Sequence, residues 1–320
     1  TVALRAMGET TSYIKVMGVS GACWRIAFLS PNWDYSSVDA LIVYDYASPG
    51  YNAFGYSPQF AEGVEKKYRV IERSKIVDSI KQGKPVLGIN LRVAHEWGVI
   101  CGYEDNGNTL LCRTYFDDDI INSSDFDNRP GNEEKYLHVD NWPFIITYFG
   151  QKGIVPTDHL NLLNSLKVMV ESMKARGDRG YSVGYDAYRT WQTDLRDDEW
   201  YENADDEKFG RRLDVNYYCY LSLVDARQAA FRYLQSSVDL IESGMVKEMA
   251  AVYEQMGNML SGLLPEIPGL DSELWKATVN MKSMRKVWTP ELRHRQADLF
   301  DEILVLEKKG EEIARKITHI

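Results

Sequence analysis

The chain has 320 residues, of which 44% are hydrophobic and 26% are charged, so it is long enough for two domains that each bury a core. Its formal net charge of −10 repels nucleic acid and anionic membranes, and no basic cluster stands out in the sequence to override this field. No apolar run approaches the roughly 20 residues that span a bilayer, so we expect neither nucleic-acid nor membrane partners.

The N-terminal half contains short β-branched and aromatic runs, separated by Gly, Pro, Asn and Asp, that are typical of strands. Strands are predicted at residues 40–44, 85–91 and 144–149. Residues 75–81 place Ile76, Val77 and Ile80 at helical spacing, which predicts a short helix that leads into the second strand. We therefore predict an α+β domain with a mainly antiparallel sheet over residues 1–153.

A hairpin is predicted over residues 97–116, with Asn106-Gly107 as a two-residue turn in which both residues have φ > 0. This turn fixes the register of the two strands and pairs Tyr103 with Leu110. The other facing pairs are Cys101 with Cys112, Trp97 with Phe116 and His95 with Asp118. A carboxylate beside a histidine fixes the imidazole tautomer and stabilises its charged form. His95 and Asp118 are therefore candidates for the orienting half of a catalytic apparatus.

The spacing of the cysteines limits the chemistry that they can support. Cys23, Cys101, Cys112 and Cys219 lie too far apart for the close pairs of a zinc site or a disulfide framework, which favours a reducing, cytoplasmic location. Cys101 and Cys112, if they face each other, form either a disulfide or two buried thiols. The run of aspartates at residues 117–119 lacks the alternating ligands and the glycine of a calcium loop. We expect neither a metal nor a cofactor.

In the C-terminal half the hydrophobic period becomes helical, and we predict a helical bundle domain over residues 154–320. Thr157 and Asp158 are predicted to cap a helix that ends near Gly177. Further helices are predicted at residues 183–196, 216–241, 245–263, 271–286 and 290–317. The acidic stretch at residues 194–207 is interpreted as a solvated loop. The apolar stripe of the last helix is typical of a bundle core, with a homo-oligomer through the C-terminal helices as the alternative.

Five short segments that follow one another along the chain carry a resemblance to a known group of proteins. They are MGVSGACWR, GKPVLG, EWGVICGY, RTYF and GYDAYRTW, at residues 17–25, 83–88, 96–103, 113–116 and 184–191. In these segments the chain resembles a widespread bacterial family that is similar to the N-terminal domain of the butirosin-biosynthesis acyltransferase and, more distantly, to the double-glycine peptidases of bacteriocin exporters. Both are similar to papain-like cysteine enzymes. The resemblance implies a papain-like α+β domain followed by helices.

The same resemblance implies which residues would form a catalytic site. The family's nucleophile is a cysteine at the N-terminus of its first helix, where unpaired amides and the helix dipole favour thiolate. Aligning Ser20-Gly-Ala-Cys23 with the peptidases' Cys-Gly-x-x-Cys pattern puts Ser20 at the nucleophile position and Cys23 at that of a buried second cysteine. His95 falls close to the family's histidine strand, and Asp118 is the nearest carboxylate by hairpin register.

Each candidate also has a structural interpretation. Cys23 is either a nucleophile or a packed core thiol, Ser20 is either a catalytic or a helix-capping residue, and His95 is either a general base or a surface residue. Three aromatic residues, spaced three positions apart, lie in one predicted helix. Its members are Tyr185, Tyr188 and Trp191. They are typical of a contact between the domains or, together with Trp97, of a ligand-binding surface.

These residues leave two classes of function open. In the first, the protein is a cysteine-peptidase-like amide hydrolase or acyltransferase that acts on a peptide or small molecule. Cys23 then attacks an acyl carbon, His95 transfers the proton and Asp118 orients His95. In the second, the protein is a catalytically degenerate papain-like module that binds a small molecule or peptide between its domains. The sequence does not decide whether the protein is an enzyme.

Overall fold

A computed structural model describes residues 1–39, 41–93, 95–118, 136–269 and 281–319. In chain order the helices of these residues are α1 (Val2–Ala6), α2 (Tyr13–Ser20), α3 (Ala47–Asn52), α4 (Arg69–Lys81), α5 (Asp158–Ser172), α6 (Gly184–Leu195), α7 (Asp198–Asn203), α8 (Asp206–Gln235), α9 (Met245–Leu263), α10 (Met281–Val287) and α11 (Pro290–Thr318). The strands are β1 (Ala27–Leu29), β2 (Tyr56–Glu62), β3 (Val86–Ile89), β4 (Trp97–Glu104), β5 (Thr109–Arg113), β6 (Leu137–His138), β7 (Ile145–Lys152) and β8 (Tyr181–Val183). Antiparallel sheets and a C-terminal helical region make this an α+β fold, as predicted.

The chain forms two compact units. The sheet unit consists of Thr1–Ser12 and Phe54–Val155, and the helical unit consists of Tyr13–Ala53 and Pro156–Ile320. This division differs from the predicted domains at 1–153 and 154–320, because Tyr13–Ala53 groups with the helical unit. The physical reason is packing, since α2 lies against α5 and α8, and β1 pairs with β8.

The sheet unit is built on a six-stranded antiparallel sheet with the order β2-β7-β3-β4-β5-β6. Its core brings Ile76 of α4 together with Val86, Ile100 and Ile146 of the central strands. The predicted short helix and the predicted strands at 85–91 and 144–149 are confirmed as α4, β3 and β7. The strand predicted at 40–44 is wrong. Residues 41–44 form a turn and bends, and residue 40 lies outside the described residues.

The β4–β5 hairpin has the predicted register only near its turn. Tyr103 pairs with Leu110 as predicted, but a bulge between Ile100 and Gly102 shifts the ladder, so that Ile100, not Cys101, pairs with Cys112. The predicted pairing of the two cysteines is therefore wrong, and both thiols are free. Asn106 and Gly107 do have positive φ, at 55° and 93°, but Asp105 does too, and the connection has four residues. The extra residues form a turn of 3₁₀ helix in place of the predicted two-residue turn.

The helical unit confirms the helices predicted at 183–196, 245–263 and 290–317, which correspond to α6, α9 and α11. Thr157 caps α5 as predicted, accepting a hydrogen bond from the Leu160 amide at 3.2 Å, although α5 ends at Ser172 and not near Gly177. Of the helix predicted at 271–286, residues 271–280 lie outside the described residues.

The interpretation of residues 194–207 as a solvated loop is wrong. These residues include α7 and the start of α8, which begins ten residues before its predicted start at 216. The aspartates act as helix caps, because Asp197 accepts a hydrogen bond from the Trp200 amide at 3.1 Å and Asp205 accepts one from the Lys208 amide at 2.8 Å. Carboxylates at helix N-termini satisfy unpaired amides and complement the helix dipole.

The helical unit also contains a small antiparallel sheet, in which Ala27–Leu29 of β1 pairs with Tyr181–Val183 of β8. This sheet joins segments from the two halves of the sequence, which the predicted domain boundary did not allow. Along the part of the chain that the structure describes, no helix combines the length and apolar character needed to cross a membrane.

Candidate functional site

The segment MGVSGACWR forms a tight turn at the end of α2. A Cβ on Gly18 would lie 2.1 Å from Cγ of Tyr233, and Gly21 has a positive φ of 75°, so side chains are excluded at both positions. Ser20 is buried; its hydroxyl donates to the Met17 carbonyl and accepts from the Ala22 amide, both at 3.2 Å. The turn therefore requires the small residues of this motif, and the Ser20 hydroxyl stabilises the turn through its two backbone hydrogen bonds.

The structure buries Cys23 completely, in a short 3₁₀ turn that follows α2. This position differs from the family's nucleophile, which the resemblance places at the N-terminus of a helix. Burial raises the pKa of the Cys23 thiol, and the nearby Arg227 guanidinium only partly opposes this effect. Reactive cysteines are accessible and have a lowered pKa, so Cys23 has the properties of a core thiol.

His95 and Asp118 lie in the sheet unit, beyond the ends of the hairpin ladder, because β4 begins at Trp97 and β5 ends at Arg113. Both side chains are exposed. The His95 ring lies edge-on to Phe144, with 5.0 Å between the ring centroids. Among the described residues no hydrogen bond or ion pair joins His95 to Asp118. The β4–β5 ladder ends at the pair of Val99 with Arg113, so it does not include the predicted pairs of His95 with Asp118 and of Trp97 with Phe116.

The predicted ligand-binding aromatics fall into two groups. Trp97 is partly exposed in β4 of the sheet unit, where it pairs with Ile89. The other three, Tyr185, Tyr188 and Trp191, are buried within the helical unit, on the side of α6 that packs against α11. The expected contact between two domains is corrected to a contact inside one unit, whose core these three residues help to form.

A buried ion pair that the sequence analysis missed lies beside these aromatics. Arg227 Nε and Glu307 Oε1 are 2.6 Å apart, and neither side chain exposes more than 1% of its surface. The Glu307 carboxylate also accepts hydrogen bonds from the hydroxyls of Tyr188 and Tyr253, both at 2.8 Å. A buried carboxylate is tolerated only when it is paired and hydrogen-bonded, and Glu307 meets both conditions.

Arg227 connects this ion pair to the segment that contains Cys23. Its Nη1 donates to the carbonyl oxygens of Cys23 at 3.0 Å and Arg25 at 3.1 Å, and its Nη2 contacts the Tyr188 hydroxyl at 3.1 Å. Burial alone would lower the pKa of Arg227, but the Glu307 carboxylate, together with the Tyr188 and Tyr253 hydroxyls, outweighs this effect and raises that pKa. The guanidinium therefore stays charged and fixes the backbone on both sides of Trp24. The predicted nucleophile is thus held by a structural network.

A second carboxylate of α11, that of Glu311, is also held by cationic and hydroxyl partners. Glu311 accepts hydrogen bonds from Tyr185 and Arg315 and forms an ion pair with Lys174 at 2.7 Å. Burial alone would raise the pKa of Glu311, but Lys174, Tyr185 and Arg315 outweigh it and lower that pKa below its ordinary value of 4.5. A lowered pKa in the folded state means that the stabilisation is complete above the unfolded-state value and is lost as the pH falls through the folded-state value.

We therefore expect the melting temperature to fall when the pH drops below about 4.5, and to fall less steeply in a Glu311→Gln variant. Thermal unfolding measured between about pH 7 and about pH 3 tests this expectation. Glu312→Gln is the matched control, because Glu312 is exposed on the same helix. Parallel profiles of the wild type and Glu311→Gln over the whole range would contradict the role of Glu311.

Two small adjoining cavities lie at the edge of β1, just after Cys23, and have free volumes of about 10 and 20 Å³. They share Arg25, Ile26, Ala27 and Ser37. The first is also lined by Asp39 and Tyr44, and the second by Cys219 and Ser222. We call them together the β1-edge groove. Each space holds about one water molecule, so the groove suits a small polar group and does not enclose a whole ligand.

Backbone polar groups also face this groove. The Gly184 amide donates to the Ile26 carbonyl at 3.1 Å, and the Ser30 amide donates to the Gly180 carbonyl at 3.3 Å. Because hydrogen-bonding direction alternates along an antiparallel strand, Ala27 and Leu29 direct their amides and carbonyls to the opposite edge of β1. The Leu29 amide donates a hydrogen bond to the Ser37 hydroxyl there at 3.2 Å, and Ala27 is one of the residues that line the groove.

Within the described ranges, no group of three or more His, Cys, Asp or Glu side chains is arranged to hold a metal ion. The chain matches no protein-family model and no curated protein sequence. The structural observations that bear on function are the burial of Cys23 and the β1-edge groove that follows it in the chain, which is lined by both apolar and polar side chains.

Proposed function

We propose that this protein is a catalytically degenerate papain-like module that binds a peptide or an amino-acid-like small molecule. The observation that carries the proposal is that Cys23, the thiol required by the enzyme alternative, is fully buried, while Arg25 and Ala27 directly after it line a groove. A mechanism that needs attack by the Cys23 thiolate has no accessible nucleophile at this position. Four free cysteines support the further proposal of a cytoplasmic location.

The lining of the β1-edge groove indicates the chemistry of the ligand. Arg25 lines both cavities and Asp39 lines the first, so the groove has a cation for a carboxylate and an anion for an ammonium group. Ser222 orients Arg25 by accepting a hydrogen bond from Nη2 at 2.6 Å. The backbone of Ala27 can pair with a ligand amide, as a strand edge does when it receives a peptide. Peptides and amino-acid derivatives carry these three groups together.

A binding experiment with a defined probe tests the proposal. We expect free trialanine to bind and to raise the melting temperature, and trialanine with an acetylated N-terminus and an amidated C-terminus to bind more weakly. Arg25→Gln is expected to weaken the binding of free trialanine by about tenfold, because it removes the cation that meets the carboxylate. Isothermal titration calorimetry on the full chain gives both affinities.

Arg189→Gln is the matched control for this experiment. Arg189 is an exposed arginine of the same unit, it pairs with Asp186 at 2.7 Å, and it is not in the lining of the groove. Equal affinity of the wild type and Arg25→Gln, or no binding of trialanine, would overturn the binding proposal. Hydrolysis of the probe that is abolished by Cys23→Ala would establish the enzyme alternative instead.

A further inference from the structure

The first turn of α4 and the residues before it form an exposed surface with an unusual composition. Three neighbouring apolar side chains are exposed there, Tyr68 by 51%, Val70 by 74% and Ile71 by 59%. Single exposed apolar residues are ordinary, but a contiguous group indicates a surface that meets a partner. Valine and isoleucine are also weak helix formers, so local helix stability does not explain their place on this turn.

The same segment is basic, which corrects the expectation that the chain has no basic cluster. Residues 66–75 contain five basic residues and a single acidic one. That acidic residue, Glu72, is buried and turned inward, where it accepts hydrogen bonds from the Tyr148 hydroxyl at 2.6 Å and from Lys75 at 2.9 Å. Its charge is therefore engaged inside the sheet unit. Lys66 and Lys67 precede the exposed apolar group and Lys75 follows it. The exposed Glu65 forms an ion pair with Lys67 at 3.0 Å and so offsets part of this positive charge.

The arginines of this segment are held in place by an aromatic ring. The guanidinium carbons of Arg69 and Arg73 lie 5.3 and 5.7 Å from the ring centroid of Trp142. Arg73 also donates to the Asn108 carbonyl at 3.1 Å. Because these contacts restrict the long side chains, less entropy is lost when the surface meets an anionic partner.

We propose that this surface, the α4 face formed by Lys66, Lys67, Tyr68, Val70, Ile71 and Lys75, docks an acidic segment of a partner protein that carries apolar side chains among its carboxylates. Charge complementarity selects this occupant. The whole chain carries −10, so an extended anionic membrane meets the repulsion of the rest of the molecule. A short acidic segment responds mainly to charges within about 8–10 Å. Around the α4 face, residues 62–75 contain five basic and three acidic residues, a local net charge of +2 that contrasts with the −10 of the whole chain.

A labelled peptide tests this proposal. The probe is a fluorescein-labelled peptide of about twelve residues in which Glu-Glu-Leu-Leu repeats, so that a helix formed by it has leucines on one face and carboxylates on the opposite face. We expect this peptide to bind the full chain, measured by fluorescence anisotropy, and to bind less tightly as salt increases. The same peptide with lysine in place of glutamate is expected to bind at least about tenfold more weakly.

Two double variants assign the binding to the α4 face. Val70→Ser with Ile71→Ser removes the apolar group, and Lys66→Glu with Lys67→Glu reverses two charges. Each is expected to weaken binding of the acidic peptide by about tenfold or more. All four side chains are exposed, so circular dichroism should report unchanged folding. Val305→Ser in α11 is the matched control, because Val305 is 67% exposed in the other unit, and its affinity should equal that of the wild type.

Three results would overturn the proposal. The first is equal affinity of the acidic peptide for the wild type and Val70→Ser/Ile71→Ser, or no binding at all. The second is flotation of the protein with phosphatidylserine vesicles in the absence of peptide binding, which would assign the face to a membrane surface. The third is a dimer in sedimentation that becomes monomeric in Val70→Ser/Ile71→Ser, which would make a second copy of this chain the occupant.

Discussion

Replacing Glu307 with glutamine is expected to destabilise the helical unit by about 3–5 kcal/mol, because it leaves the buried Arg227 guanidinium without its counter-charge. The hydroxyls of Tyr188 and Tyr253 lose a charged acceptor in the same variant. Glutamine has nearly the same shape as glutamate, so packing changes little. The loss of stability therefore measures the contribution of the carboxylate charge and its hydrogen bonds.

Urea unfolding followed by far-ultraviolet circular dichroism measures this effect, since most of the helix belongs to the helical unit. Glu312→Gln makes the same chemical change on the same helix at an exposed position and is expected to leave stability within about 0.5 kcal/mol of the wild type. If Glu307→Gln and Glu312→Gln unfold at the same urea concentration, the ion pair of Arg227 and Glu307 does not stabilise the core of the helical unit.

Replacing Trp191 with alanine is expected to cost the helical unit about 3–5 kcal/mol. The Trp191 ring stacks on Phe28 of β1 with 4.8 Å between the ring centroids, and it lies at the same distance from the ring of Phe300. Its indole Nε1 donates to Asn216 Oδ1 at 2.9 Å. Truncation therefore opens a cavity and leaves a buried amide oxygen without one of its donors.

The matched comparison for Trp191→Ala is Tyr115→Ala, which truncates an aromatic side chain that is almost fully exposed. Its unfolding transition is expected to coincide with that of the wild type. Coincident urea transitions for Trp191→Ala and the wild type would show that this ring contributes nothing to the core. That result would also remove the argument that α6 is bound to α11 and β1 through its aromatic residues.

The sequence predicted those elements whose stability depends on local pattern. The helical stripes of α6, α9 and α11 and the apolar, β-branched and aromatic runs of β3 and β7 are repeated signals, so an error at one residue does not change the element. The hairpin shows the limit of this reasoning. Asn106 and Gly107 specify positive φ at the turn, but no residue near Cys101 reveals the bulge that shifts the register. A bulge reflects how the strand fits its neighbours on both sides.

The candidate site was harder to predict, because one residue pattern serves two purposes. Glycines such as those around Ser20 occur wherever the backbone turns tightly. The same pattern is therefore expected for a turn that exposes a nucleophile and for a turn that packs in the core, as this one does against Tyr233. Arg227 and Glu307 are separated by 80 positions in the sequence. Each residue considered alone is typical of the solvent-exposed face of a helix. Arg227 is not among the site residues predicted from the sequence. The signal that could have pointed to its burial is its position among Ala226, Ala229 and Ala230, because alanine is often buried.

Alkylation of the native protein by iodoacetamide, mapped by mass spectrometry over time, tests most directly the claim that Cys23 is a structural thiol. Cys101 is the partly exposed cysteine, whereas Cys23, Cys112 and Cys219 are buried, and burial raises the pKa of both Cys112 and Cys219 to about 12. We expect Cys101 to react first and Cys23 to stay unmodified until the helical unit unfolds. Modification of Cys23 before Cys101 in the folded protein would contradict this account and restore the thiol mechanism.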